Sequence, residues 1–443
     1  MKVQISDHFT YGRLFKFVIS SVVMMIFTSI YSVVDGLFVA NIVGSNALSS
    51  INIVMPLIMI VGAFGFMLGT GGGAEISKTI GQGDLKKANE YFTMLIVTII
   101  SAGVVLSILC IVFMKPICYF LGASELLIDD CVKYGNILIF GSTLFMLQTS
   151  FQTFYIIAEK PHIALALTTA SGIVNIVLDY VFVYVMNLGI SGAGLATVCG
   201  YVVGSVIPLI YFMTSKSSKL HFTTLKMYPK VLLHSVVNGS SEMLTNISSS
   251  IVTFLYNKQM MNLIGEDGVA SITVIMYINF IFIAIYLGFS MGVAPIVGYN
   301  YGANNQEELQ NIFKKGIRVI GGMAIVMTIF SQIVAVPLVS LFLGKDNPLS
   351  SMTVQGFRIY SLSFLICGVN IFGSSFFTAL CNGLISAVIS TLRSLVFQSC
   401  MILILPVLFE INGIWSSVVV AEALTLIVTI FCLVRNKNRY HYF

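Results

Sequence analysis

The chain has 443 residues, of which 57% are apolar and 9% are Asp, Glu, Lys or Arg, and its mean hydropathy is +0.96. Soluble domains carry roughly 25% charged residues, so this composition excludes a water-soluble fold and requires a bilayer as the main solvent. The formal charge of +5 is accounted for by basic loops on one membrane face and needs no nucleic-acid partner.

Apolar runs of the ~20 residues a spanning helix requires recur along the chain. Six are predicted in the first half, near 15–38, 47–70, 92–114, 134–157, 163–186 and 192–213. Span one is too long for a signal-peptide core and lacks a small-residue cleavage pattern, so it reads as an uncleaved anchor. It carries Tyr31 and Asp35 in its outer part. Span two ends in Gly69–Gly73 (GTGGG); because this closes a span and not a strand, close helix packing or a hinge is favoured over a phosphate cradle. Span four holds Gln148, Phe151, Gln152 and Phe154, and span five places Asn175 and Asp179 four residues apart, on one helical face.

A polar, basic stretch over 216–229, without helical apolar periodicity, is predicted to link an N-terminal lobe (1–215) to a C-terminal lobe (230–443). Six further spans lie near 232–257, 269–297, 316–343, 355–380, 384–409 and 413–434. Span seven is unusually polar, with Asn238, Ser240, Ser241, Glu242, Thr245, Asn246 and Ser248, as expected of a helix that faces water. Span eight offers Met276, Tyr277 and Phe280, span eleven Arg393, and span twelve Glu422, which reads as a helix-packing group. Eight cysteines stand singly, and only Cys118 and Cys131 could meet outside the bilayer.

The two halves repeat at an offset of 221 residues. Asn41–Met55 (NIVGSNALSSINIVM) lies over Asn262–Met276 (NLIGEDGVASITVIM), and the same shift carries Gly81 onto Gly302, Phe92 onto Phe313 and Gly192 onto Gly413. Six spans per half is an even number, so both copies enter the bilayer in the same sense. The predicted fold is an all-α integral membrane protein, twelve helices in two six-helix bundles related by a pseudo-two-fold axis along the membrane normal. With a cytoplasmic N-terminus, 17 Lys and Arg residues fall on the inner side and 5 on the outer, which places both termini in the cytoplasm.

A charge at mid-bilayer costs roughly 2.5 to 3.5 kcal/mol, so ionisable residues inside spans are functional candidates. Asp35, Asp179, Glu242, Glu422 and Arg393 qualify. Asp35 and Asp179 fall at matching depth in the first lobe and could share a proton or hold a hard cation among neutral oxygens; the residues serve Na⁺ or H⁺ equally. Glu242 and Arg393 sit near mid-membrane in the second lobe. Either they neutralise one another, or Glu242 faces a central cavity and attracts cationic cargo. Gln148, Gln152, Phe151, Phe154, Met276, Tyr277 and Phe280 combine apolar bulk with polar tips and are candidates to line a loose site for flat, greasy molecules. The repeat fails at the first-lobe cluster: Asp35 maps onto Tyr256, Asn175 onto Val396 and Asp179 onto Cys400, so one such site is expected, not two.

Tyr31…Asp35, the stretch Phe151-Gln-Thr-Phe-Tyr-Ile-Ile-Ala-Glu-Lys-Pro161, Asn175…Asp179 and the two parallel halves together resemble the multidrug and toxic compound extrusion (MATE) family over essentially the whole chain. Gly239-Ser-Ser-Glu242-Met-Leu-Thr is similar to one multidrug-pump branch of it. The resemblance implies a cation or proton site at Asp35, Asn175, Asp179 and Thr197, with Tyr31 close by. It also implies a monomeric antiporter in a bacterial plasma membrane, exporting amphipathic, often cationic drugs against Na⁺ or H⁺ with no other cofactor and no enzymatic step. Two positions depart from the family pattern: no proline precedes Asp35, and span ten has Asn370 where another branch uses a carboxylate. The rival is a flippase for lipid-linked saccharides. A pyrophosphate cargo would need several buried basic groups, and the spans supply only Arg393. The five histidines map to the cytoplasmic edge and are expected to be solvated there, which counts against a membrane enzyme.

Overall fold

A computed structural model describes residues 3–42, 45–215, 218–344 and 347–443, with only the backbone described for 35–42 and 45–48. Its helices in order are α1 (Tyr11–Ile42), α2 (Ser45–Gly81), α3 (Leu85–Val112), α4 (Met114–Phe120), α5 (Ile128–Phe140), α6 (Ser142–Ile157), α7 (Pro161–Asp179) and α8 (Gly189–Thr214). The second half contributes α9 (Pro229–Leu263), α10 (Glu266–Gly302), α11 (Gln306–Leu343), α12 (Leu349–Tyr360), α13 (Phe364–Ala379), α14 (Gly383–Thr391) and α15 (Gln398–Tyr440). A π-helical turn, Tyr180–Val185, continues α7, and another, Leu392–Phe397, joins α14 to α15.

Among the described residues nine helices are long and apolar enough to cross a membrane, and α5 with α6, bent by 49°, makes a tenth. The remaining two follow from particular residues. Glu410 has φ 50° and ψ −130°, which breaks the 58-residue run Gly383–Tyr440 into an ascending and a descending arm. The 35-residue α9 is long enough to span, but the serines and asparagines already noted keep it below the apolar threshold.

Local signals set where these helices begin. Pro161 and Pro229 open α7 and α9, where a missing N–H costs nothing. Asp84 caps α3 by accepting from Lys87 N at 2.9 Å, and Asn305 caps α11 by accepting from Glu308 N at 3.1 Å; the two caps stand 221 residues apart. The repeat also survives in the turns. Gly83 (φ 86°) matches Asn304 (φ 53°), and Gly189 (φ 54°) matches Glu410 at the same offset. Gly122 matches Gly344, and Glu159 matches Cys381, one residue further on. The left-handed turn is kept even where glycine is not.

The lobes meet through α1, α2, α9 and α10. Glycine makes these crossings possible. A Cβ on Gly81 would lie 2.0 Å from the Tyr299 carbonyl oxygen, and one on Gly302 would lie 2.0 Å from the Lys78 carbonyl oxygen, a reciprocal contact under the repeat. Gly71 abuts Ser235 and Gly239, Gly239 abuts Met67, Gly288 abuts Ser21 and Val22, and Gly292 abuts Val18. The glycine run at the end of span two is thus a packing surface. Among the described residues every glycine crossing between lobes lies in the half next to the chain termini. Both termini gather at the start of α11, where Phe9 N donates to Glu308 at 2.9 Å and the Phe313 and Tyr442 rings sit 4.9 Å apart. The lobes are sealed together at that face.

Candidate functional site

In the first lobe, α7 buries one face against α1 and α8, and that face carries Ser171, Gly172, Asn175 and Asp179. Asn175 is fully buried and Asp179 is 2% exposed. Asn175 Nδ2 donates to Thr197 Oγ1 at 3.3 Å, and Thr197 donates to the Ala193 carbonyl at 3.0 Å. The Asn175 Oδ1 has no hydrogen-bond partner among the described residues. Gly172 lets α1 approach: a Cβ there would lie 2.8 Å from Phe27 and 3.4 Å from the Tyr31 ring. Asn175 and Thr197 are thus bonded, Tyr31 packs on α7 at Gly172, and Asp179 lies one turn beyond Asn175 on the same buried face. Asp35 is on α1, one turn beyond Tyr31, but its side chain lies outside the described residues. Asp179 is the last α-helical residue before the π-helical turn, a local distortion frequent at functional sites and one that sequence periodicity does not reveal. A carboxylate, an amide oxygen and a hydroxyl form a hard-oxygen set suited to a proton or an alkali cation.

In the second lobe Arg393 pairs with Glu422, not Glu242: Arg393 Nε donates to Glu422 Oε1 at 2.8 Å. Glu422 Oε2 also accepts from Asn370 Nδ2 at 2.7 Å, and Asn370 Oδ1 accepts from Thr429 at 2.9 Å. This closed network gives Asn370 and Glu422 the helix-packing role read from the sequence for Glu422. It leaves the Glu242 carboxylate with no ion-pair or hydrogen-bond partner among the described residues. Glu242 lies one turn past Gly239, the last of the glycine contacts between α9 and α2. Tyr277 is three turns before Gly288 on the face of α10 that meets α1, and is 36% exposed, with its ring stacked 6.3 Å from Phe342. Met276 is partly buried against the second-lobe core, and Phe280 is 45% exposed.

A sequence profile of the MatE family matches the chain twice, over residues 20–181 and 242–403. The chain belongs to the MatE family. The two matches begin within one residue of the offset read from the sequence, so the profile itself records the duplication. Multidrug export protein MepA of Staphylococcus haemolyticus is 22% identical, over 99% of this chain and 97% of its own length. A crystal structure of MATE in complex with MaL6 superposes with a TM-score of 0.92 at 20% identity, covering 96% of both chains. An outward-facing multidrug resistance MATE family transporter of the MOP superfamily superposes at 0.90 with 21% identity and the same coverage. These structures share the twelve-helix, two-bundle architecture.

Within this MatE fold, four span-four candidates sit elsewhere than a cleft-lining role requires. Phe151 and Phe154 are buried in an aromatic cluster with Phe92 and Phe212, at ring separations of 5.7 Å for Phe151–Phe212 and 5.2 Å for Phe92–Phe154. Gln148 and Gln152 turn toward α7, donating to Ser171 at 3.2 Å and Thr168 at 3.3 Å. The reason is position: α6 packs mainly on α2, α3, α7 and α8 of its own lobe and meets the other lobe only in a small contact with α10.

The sealed face also carries ion pairs and hydrogen bonds that join the lobes and the chain ends. His8 Nδ1 pairs with Glu308 Oε2 and His234 Nδ1 with Glu75 Oε1, each at 2.6 Å and each from one lobe to the other. Asn311 and Lys315 both donate to the Phe9 carbonyl, and Glu159 accepts from Ile5 N and Lys219. The predicted linker is likewise docked. Asn89 accepts from His221 N and donates to the Lys219 carbonyl, Thr93 accepts from Thr223 N, and Glu90 holds Lys226 (2.7 Å) and the Tyr228 hydroxyl. The bond to Glu90 holds the Lys226 ammonium above its ordinary pKa and raises that of the Tyr228 phenol. Cys118 and Cys131 remain thiols, and burial pushes Cys118 up to about 11.

Proposed function

We propose that this protein is an ion-coupled antiporter that exports amphipathic, cationic organic compounds by alternating access between its lobes. The observation that supports the reading is Glu242: a carboxylate with no ion pair or hydrogen bond of its own among the described residues, which feels Arg393 only beyond contact because that guanidinium is paired with Glu422. A cationic headgroup would pair with it directly, and the exposed ring of Tyr277 offers apolar contact. The same pairing argues against an anionic pyrophosphate cargo, for which no uncommitted buried cation stands among the described residues.

Coupling is assigned to the Asp35, Asn175, Asp179, Thr197 and Tyr31 cluster, with Na⁺ or H⁺ as the ion. Binding there alters the relative stability of the two access states, and an ion shifts that equilibrium only by its difference in affinity for them. With both termini in the cytoplasm, the sealed face is the inner one and the described conformation faces outward, ready to release cargo and take up the coupling ion. The protein acts as a monomer in the plasma membrane.

In proteoliposomes, Asp179→Asn is expected to abolish ethidium exchange driven by an imposed pH or Na⁺ gradient, with the protein still inserted and folded. Comparison of the two gradients on the wild type identifies the ion. Undiminished exchange by Asp179→Asn under both gradients would remove the ion-site assignment.

A further inference from the structure

Between the Asn175–Asp179 cluster and the sealed face, the interior of the first lobe carries a column of polar groups that antiport through the cleft does not use. It is built from three helices in register: Thr168, Ser171, Asn175 and Asp179 on α7, Gln148, Gln152 and Tyr155 on α6, and Thr197, Gly200, Gly204, Pro208 and Tyr211 on α8. Successive members are three or four residues apart, so each set forms an axial stripe. We propose that this column is a hydrated proton path joining Asp179 to the sealed face inside the first lobe, apart from the cleft that cargo uses. The proposal rests on the coupling site assigned above and specifies H⁺ as its ion.

Three buried oxygens make water necessary. Asn175 Oδ1, Gln148 Oε1 and the Tyr155 hydroxyl have no hydrogen-bond partner among the described residues, and Asn175 and Tyr155 are 0% and 1% exposed. Leaving such a group unsatisfied costs about 1–3 kcal/mol, and three at neighbouring levels of one column is a costly arrangement unless water satisfies them. A cavity of about 10 Å³, room for a single water, lies among Gln148, Gln152, Tyr155, Thr168, Gly204 and Pro208. Two α8 residues create it. Gly204 leaves the space, since a Cβ there would be 2.5 Å from Gln148 Cδ, and Pro208, having no N–H, frees the Gly204 carbonyl as a further acceptor.

The column ends at the sealed face on Tyr155 and Tyr211, whose rings are 5.4 Å apart, with Lys160 bonded to the Tyr211 hydroxyl. An ammonium at this mouth opposes entry of a bare alkali cation, whereas hydroxyls and water can hand protons on. At the other end Asn175 stands one turn before Asp179 and bonds Thr197 on α8, and Tyr31 on α1 packs on the same helix at Gly172, with Asp35 on α1 outside the described side chains. In the conformation described one member of the column is turned away from it. The Ser171 hydroxyl donates to the Gly200 carbonyl at 2.7 Å, so its proton is directed out of the column. This orientation keeps the outward-facing state from leaking protons. When Ser171 is released, the Asp179 carboxyl gives up one proton and becomes a carboxylate. Each water or hydroxyl along the column receives one proton and passes one on, and the last enters bulk water at the sealed face.

The test uses the full chain in proteoliposomes with ethidium as cargo. Gln148→Leu and Thr168→Val are expected to lower exchange driven by a pH gradient at least tenfold, while ethidium affinity at fixed pH, read by fluorescence anisotropy, changes less than twofold. Thr168→Ser should restore the rate, which a packing defect at position 168 would not allow. Normal exchange by Gln148→Leu and Thr168→Val, with Asp179→Asn inactive, overturns the path and leaves the coupling site standing. Normal exchange by all three overturns the coupling site as well. Wild-type exchange driven by Na⁺ and indifferent to pH also overturns the path.

Discussion

Arg393 had two acids within reach of its depth, and rotation about the helix axes decided between them. Depth can be counted from a sequence, but the side of a helix on which a partner stands cannot. Glu422 takes the guanidinium, and Asn370 and Thr429 complete a network in which each charged or polar tip has a partner. Removing one member of such a pair leaves the other buried and uncompensated, a loss of about 3 kcal/mol or more. Glu422→Leu should therefore lower the thermal midpoint in detergent sharply, and adding Arg393→Met should recover most of the loss. A double variant no more stable than Glu422→Leu would show that the pair is not a unit. The Asn175–Asp179 pairing was legible because both residues lie on one helix at a spacing that fixes their common face. The inward turn of Gln148 and Gln152 was not, since a polar stripe on a helix does not say which neighbour it meets.

At the scale of elements, the segment joining the lobes departs most from expectation. Polar, basic and aperiodic, residues 216–229 read as a spacer, yet residues 219–228 are pinned along α3 and belong structurally to the first lobe. Sequence periodicity reports only local faces, and the clamp depends on Asn89, Glu90 and Thr93, roughly 130 residues away. Lys226 has a raised folded pKa, so its contribution is full below the ordinary lysine value of 10.5 and is lost as pH climbs through the folded one. Tyr228, also raised, stays a protonated donor over the same range. Tryptic cleavage of the linker, normalised to an unstructured peptide, should thus stay slow and flat from pH 6.5 to 9 and quicken at pH 8 in Glu90→Gln. Protection that collapses between pH 7 and 9 in the wild type would contradict the clamp.

Over the whole molecule, the duplicated scaffold was the most legible property, because an offset of 221 residues appears in the sequence and again in caps, turns and the lobe crossing. The sealed face was less so: a loop acid such as Glu308 looks like any solvated acid until the fold brings His8 and Phe9 to it from 300 residues away. Gly81→Ala and Gly302→Ala each place a methyl carbon in a backbone contact, and overpacking of this kind costs about 1–3 kcal/mol. Spin labels across the two lobes at the face opposite the seal should report a changed distance distribution in either variant, with the double variant shifted by less than the sum. Strict additivity would contradict a shared contact. The reciprocal seating of Gly81 on Tyr299 and Gly302 on Lys78 has a mechanical corollary. Two bodies that bear on each other through a self-matching contact share one seam there, so a change at Gly81 and a change at Gly302 load the same sealed face.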